Sequence, residues 1–449
     1  MKLKLLFLTL ITVNFLFAQE WTEQATSFGT PSRGLNSISI VNSNVVWASA
    51  YDGSGADPAN DPNARISDFT KTVDGGLTWT AGSLNPDPNL RIAMIQGMSM
   101  DKAWAIGYKN SGTFNTGVWA TVDGGNSWTR QTTASFSGSG AFPNVLHFWN
   151  ENVGFCQGDP VGGYFELYTT SDGGVNWTRV PSANIPTPLT DEYGYVSQIF
   201  HSGNGNRIWW TTNKGRIFRS DDFGLNWDVF QSPIPDFGSA SSSGEISFWD
   251  DNNGMLINQD GALFSTVDGG ENWTPVFPNS GDVYGSDISC IPGTSIVVSS
   301  GQLHGGGTDR GSSFSVDRGL NWVTLDNAVD HLDVEFIDIN TGWTAGFNTD
   351  ATTGGIFKYT GTQLAAAAAV GSNELSIANA YPNPVKDIFT IEGVDIISNV
   401  TVFNMLGQEV LTTQPNVLTA KIDMSNLTSG SYVVKATVNG NTQTIKLIK

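Results

Sequence analysis

The side chains of this 449-residue chain that could do chemistry are scattered carboxylates and a few histidines rather than one compact motif. Asp52, Asp159, His304, Asp309 with Arg310, and His331 with Asp333 lie in loops between apolar runs. Two carboxylates on one open face could serve as acid and base on a glycosidic bond. Asp52, Asp57 and Asp61 share the long Gly-rich stretch from Tyr51 to Ile66. Carboxylates there could hold calcium, but their spacing fits no EF-hand, and solvated turn residues account for them as well. These positions are therefore candidate ligand contacts, and none is assigned as catalytic. No His-Glu-x-x-His, P-loop or Gly-x-Ser-x-Gly occurs in the chain. Cys156 and Cys290 with four His build no zinc site, so neither metal nor cofactor is expected. The two thiols should be buried and unbridged.

Composition constrains the partner and the class. With 22 Lys+Arg against 42 Asp+Glu, a net charge of −20, the chain is repelled by phosphate backbones and anionic lipid, which argues against nucleic acid. High Gly (51) and Trp (15) with only 14% charged residues favour many short strands and tight turns. The expected class is all-β.

The elements that position these side chains come from one unit copied around a ring. The octapeptide Ser/Thr-x-Asp-x-Gly-x-x-Trp occurs six times, ending at Trp79, Trp128, Trp177, Trp227, Trp273 and Trp322. Its Asp residues, 74, 123, 172, 222, 268 and 317, are spaced by 49, 49, 50, 46 and 49. A period in the forties with several short strands per copy indicates propeller blades. A seventh copy starts at Val334 and stops after Thr360 without a fourth strand, while Trp21 to Thr26 matches the outer strand at Trp128 to Thr133. An N-terminal strand that completes the last blade closes a seven-bladed β-propeller over residues 19–364. The octapeptide is then the turn between the third and fourth strands. On the innermost strands, Ser39, Gln96, His147, Gln198, Ser247, Asp287 and Glu335 are aligned and all polar, which suggests a wet central channel.

The octapeptide resembles the Asp-box, or BNR-like repeat, of sialidases, sortilin-type receptors, xyloglucanases and photosystem II assembly-factor propellers. The resemblance implies a structural role for the six Asp and six Trp, on the face away from the ligand. The whole repeat, as in His147 to Phe155 and Thr170 to Trp177, most resembles the photosystem II assembly-factor-like group. A sialidase would be expected to carry Arg-Ile-Pro near its start, yet here the Arg-Ile pairs at 65, 91, 207 and 216 precede Ser, Ala, Trp and Phe. Xyloglucanase-type enzymes use a cleft between two propellers, and this chain has one.

Both ends read as addresses. Lys2, Lys4 and the apolar run from Leu5 to Phe17 make residues 1–18 a secretory signal. Residues 365–373, with the alanine run Ala365 to Ala369, read as a linker too short for an independent helix. The alternating strands of residues 374–449 suggest a small β-sandwich. Tyr381-Pro-Asn-Pro384, Val402 to Val410 and Ile422 to Lys435 resemble a type A C-terminal sorting domain of the type IX secretion system. That resemblance implies export across the outer membrane of a Gram-negative bacterium, with the secretion machinery as partner and no transmembrane segment. The expectation is a monomeric secreted or surface propeller that binds a glycan or protein and is not an enzyme. The alternative is an extracellular glycoside hydrolase or lyase acting on a polysaccharide.

Overall fold

A computed structural model describes residues 20–56, 66–84, 89–109, 115–202, 205–239, 242–303, 309–371, 378–404, 407–438 and 441–449. Residues 1–18, expected to be a secretory signal, and Asp57, Asp61 and His304 lie outside the described residues. Seven four-stranded antiparallel sheets form the blades of a propeller. Their innermost strands are Arg33–Ile40, Leu90–Gly97, Pro143–Phe148, Gly194–His201, Gly244–Phe248, Asp287–Cys290 and Val334–Asp338, for blades one to seven. Each core lies between adjacent blades, where large rings such as Trp47, Trp104, Trp209 and Trp343 are fully buried.

The last blade is closed by the N-terminus. Trp21–Ala25 pairs antiparallel with Thr353–Tyr359, from Trp21 opposite Tyr359 to Ala25 opposite Gly355. Trp21 is buried, and its indole N–H donates to Ser312 Oγ at 2.8 Å in blade six. The ring is thus held shut by the same kind of packing that joins its other blades.

The repeated octapeptide forms the turn between the third and fourth strands. In blade two, Thr121 Oγ1 donates to Asp123 Oδ1 at 2.8 Å and accepts from Gly125 N at 2.9 Å. Asp123 Oδ1 also accepts from Ser127 N at 2.9 Å. The side-chain and then the backbone hydrogen bonds of Ser127 hold the Asp123 carboxyl down to about 2. Gly124 and Gly125 sit at φ 74° and 87°, where a Cβ is strained. Equivalent bonds anchor Asp74, Asp172, Asp222, Asp268 and Asp317. Trp79, Trp177, Trp227 and Trp322 are buried, whereas Trp128 and Trp273 are partly covered. The turn packs on its own blade's first hairpin, as Gly173 N bonding Asn152 O at 2.8 Å shows, so both lie on one face.

The alanine run is helical, from Gln363 to Gly371. It is not independent, which is why so short a run holds its shape: Leu364 is buried, and Ala367 and Ala368 pack on blade seven. Glu20 fixes where it starts, its carboxylate accepting from Tyr359 Oη at 3.2 Å and from Gln363 N at 3.4 Å. Gly361 makes room for that carboxylate, since a Cβ there would come within 1.6 Å of Glu20 Oε2.

The C-terminal unit is a six-stranded sheet curled on itself. The long strand Ile388–Asn404 belongs to both layers of the expected sandwich. Its first part pairs with Ala378–Tyr381 and Val417–Asp423, and its second part with Glu409–Thr413 and Ser431–Val438. Phe389, Ile391, Val400, Val402 and Val434 fill the core between the layers.

Candidate functional site

The innermost strand of every blade is a sheet edge, so its outward N–H groups lack a ladder partner. Polar side chains of the preceding blade supply one. Ser39 Oγ accepts from Gly97 N at 3.0 Å, Gln96 Oε1 from Phe148 N at 2.6 Å, and Ser247 Oγ from Cys290 N at 2.9 Å. Ser289 Oγ accepts from Phe336 N at 3.1 Å. The aligned polar positions therefore cap neighbouring edges as well as facing the channel. In blade six the capping residue at this level is Ser289, two positions beyond Asp287.

Around the axis lies a cavity of about 1880 Å³. Its lining runs from Tyr51, Gln302 and Phe347 at one end to Asp250, Asn253 and Arg318 at the other. The second set sits at the first hairpins, on the face of the octapeptide turns. Tyr51 ends the second strand of blade one, which places the first set on the opposite face.

Single-residue bulges interrupt the innermost strands of blades one, two, three and seven, and blade four departs further. In blade four, Gly194 pairs with Thr212 but Ile199 already pairs with Trp210, so the residues between bulge out of register. Ser197 takes φ 63° there, an unfavourable conformation for a residue with a side chain. Its Oγ donates to Ala93 O at 2.8 Å and accepts from Asn36 Nδ2 at 2.9 Å, joining blade four to blades two and one. The bulge sets the next residue, Gln198, to donate to Glu245 Oε1 at 2.5 Å, while Thr211 Oγ1 donates to Gln198 Oε1 at 2.6 Å. Bulges that re-aim a side chain recur beside binding sites.

Beyond this bar, blades five to seven line the channel with Glu245, Asp287, Asp333 and Glu335. Asp287 accepts from Val334 N and Ile288 N, each at 2.7 Å, and hydrogen-bonds the Asp333 carboxyl. Burial and then the charge of Asp333 push Glu245 up to about 8. Burial, followed by Asp333 and Glu245, raises Asp287 well above the usual carboxylate range. Glu335 is also raised by burial and Asp333, although its side chain is exposed. Both hold because the surface it exposes is channel wall with protein on all sides, and water there moderates the shift. The charges that shift Glu245, Asp287 and Glu335 are those of neighbouring carboxylates. Opposite them, burial and then His201 push His147 well down, so its ring is neutral. The two imidazoles lie 4.8 Å apart.

The residues singled out from the sequence take different places. Asp52 is bound to Arg33 Nη1 at 2.7 Å, both almost fully buried. Asp159 accepts from Asn144 Nδ2 at 2.8 Å and Gly194 N at 3.1 Å, tying blade three to blade four, and burial pushes it up to about 6. His331 is fully buried, with Thr344 Oγ1 at 2.6 Å and Asp326 Oδ2 at 3.0 Å. Arg310 faces Asp330 at 3.5 Å, and Asp309 lines a separate cleft beside it. Asp333 alone among them reaches the central channel, where Asp287 joins it. Glu245 was missed, although it stands two residues before Ser247 and Asp333 two before Glu335, the spacing of one strand face. Among the described residues no three His, Cys, Asp or Glu form an arrangement that could hold a metal ion. Cys156 and Cys290 are free and buried.

Residues 379–449 match the family model of the secretion system C-terminal sorting domain. The chain ends in a sorting domain. It is accordingly a type IX secretion cargo, secreted or attached to the cell surface, and no described helix is long and apolar enough to cross a membrane. A curated relative, ulvan lyase NLR42 of Nonlabens ulvanivorans, is 40% identical over 75 residues. That stretch is 16% of this chain and 14% of the relative, so the chain spans about one seventh of the lyase's length. Among solved structures, YCF48 bound to a D1 peptide aligns with 77% of this chain and 98% of its own, at TM-score 0.51 and 16% identity. YCF48 from Cyanidioschyzon merolae gives 76%, 98%, 0.50 and 16%. These likenesses show the propeller fold.

Proposed function

We propose that the sorting domain exports a binding propeller, which takes a glycan or protein ligand into the mouth of its central channel. Entry is on the face opposite the octapeptide turns, where Glu245, Asp287 and Asp333 stand near the starts of their strands. The observation that carries this reading is the bulge at Ser197. The inner strands of blades one, two, three and seven close the ring with bulges of one residue, yet this one sets four residues against one, holds Ser197 at φ 63° and aims Gln198 at Glu245. The octapeptide Asp residues take no part, since their oxygens are occupied within their own turns.

A glycan array and a peptide array, each probed with the secreted protein and its D333N and E245Q variants, test the proposal. A ligand whose binding weakens in both variants supports it. Equal binding by all three proteins places the ligand elsewhere.

One observation favours a second reading, an extracellular hydrolase or lyase. Asp287 and Asp333 share a hydrogen bond while Glu245 keeps its proton to about pH 8, which brings an acid and a base together. Polysaccharide turnover that is lost in D287N would establish it in place of binding alone.

A further inference from the structure

Tyr51 is a large ring left 46% exposed at the end of Val46–Asp52, on the wall of the channel mouth. Phe347 lies 6.3 Å from it, with the ring planes inclined by 54°. The register of Thr341–Asp350 slips between Ala345 and Asn348, which lets Phe347 leave the regular pleat. Two glycines make its seat: a Cβ at Gly34 would meet Phe347 Cε1 at 2.8 Å, and one at Gly53 at 2.1 Å. Beneath the pair, the Arg33–Asp52 ion pair at 2.7 Å clamps both strands and neutralises the cation beside the rings. The rings are therefore held by a stiff support, and the cavity they edge is the one that Glu245, Asp287 and Asp333 line.

Resting on the reading of the channel mouth as a ligand site, we propose that Tyr51 and Phe347 form a stacking platform for a sugar ring of an uncharged or amino-bearing glycan. A pyranose has an apolar C–H face that packs on an aromatic ring, and an edge of hydroxyls that must find acceptors. Carboxylates are acceptors, and protonated ones donate as well. An amino group adds attraction to the carboxylates and to the aromatic faces. Uronate and sulfate groups meet like charge on this wall and in a chain of net charge −20, so anionic glycans are disfavoured. The apolar face and hydroxyl edge of a sugar match a ring that shares its cavity with carboxylate acceptors, which favours a glycan here.

The test is calorimetric titration of the full secreted protein with neutral β-glucan and chitosan oligosaccharides, and with uronate-bearing oligosaccharides of equal length. Binding of a neutral or amino sugar is expected, weakened at least about tenfold by Y51A and restored by Y51F, which keeps the ring. Uronate oligosaccharides should bind more weakly than their neutral counterparts. Tyr51 is largely exposed, so Y51A should keep the wild-type unfolding temperature. Y51A binding as wild type overturns the platform, and continued weakening by D333N would then leave the channel site itself standing. Preference for the anionic oligosaccharides overturns the glycan class. A peptide that binds in a D333N-sensitive way, with no sugar bound, overturns it too while preserving the channel reading.

Discussion

Replacing Trp21 by alanine is the most direct test of ring closure. The side chain is 2% exposed, and its ring lies 5.3 Å from His331, 5.4 Å from Tyr359 and 5.9 Å from Phe336. Truncating such a ring costs about 3–5 kcal/mol, counting lost transfer energy and the cavity left behind. Ser312, fully buried, also loses its partner at 2.8 Å, worth about 1 kcal/mol more. Unfolding entropy of about 2.1 cal/mol/K per residue over the roughly 345 residues of the propeller gives about 0.7 kcal/mol/K. A loss of about 5 kcal/mol should therefore lower Tm by about 7 °C. Scanning calorimetry of the secreted protein measures this, with W21F as companion, since it keeps a six-membered ring while losing the N–H donor and the rest of the indole. W21F should fall less than half as far. A W21A shift below about 2 °C would refute the reasoning, because the closing strand would then add little to blade seven.

Other outcomes follow from named contacts. E20A should leave the Tm within about 2 °C of W21F but speed proteolytic nicking within Ala365 to Ala369, read by mass spectrometry of limited digests, because the helix loses the carboxylate at its start. E245Q should change the pH dependence of stability. Folded Glu245 holds its proton to about 8 against 4.5 unfolded, so the wild type loses stability as pH rises through that window and the variant, which keeps only the other channel carboxylates, loses less. The gap between them in urea midpoint should open from pH 5 to 8 in the variant's favour. T121A removes three bonds within one turn and should cost about 1–2 kcal/mol in urea unfolding at pH 7, with no effect on ligand binding.

The fold was legible because its signals repeat. Six octapeptides at a near-constant period fix the blade, and a fourth strand missing at one end with a spare one at Trp21 fixes the closure. The helix at Gln363 was not legible, since its stability lies in Leu364 and Glu20 meeting blade seven, a contact that no local pattern carries. Among site residues, Asp333 was accessible from its position ahead of an inner strand. The burial of His331 and the pairing of Asp52 with Arg33 were not, because both depend on which neighbour a loop carboxylate or imidazole meets in three dimensions. The Ser197 bulge was hidden for a further reason: Gly194–His201 carries enough strand formers, Tyr195, Val196, Ile199 and Phe200, to read as a strand, and the slip appears only in its pairing with Ile208–Thr212.

The acidity of the chain now divides into two kinds of carboxylate with opposite pH behaviour. In the turns, Asp74 and Asp123 are held near 2 by their own hydrogen bonds, so the stability they confer is present above about pH 4 and lost toward pH 2. In the channel, Glu245, Asp287, Asp333 and Glu335 are raised by burial, and all but Asp333 also by a neighbouring carboxylate, so they cost stability as pH climbs above the ordinary carboxylate range. The first kind is what a turn requires. The second is not required by the ring, because Ser39, Gln96, Ser247 and Ser289 cap neighbouring strand edges without charge. Serine at Asp287 could cap Val334 in the same way and avoid the repulsion. Carboxylates that burden the fold at neutral pH, gathered in one sector of the central cavity, are what the proposed ligand would account for and the fold alone does not.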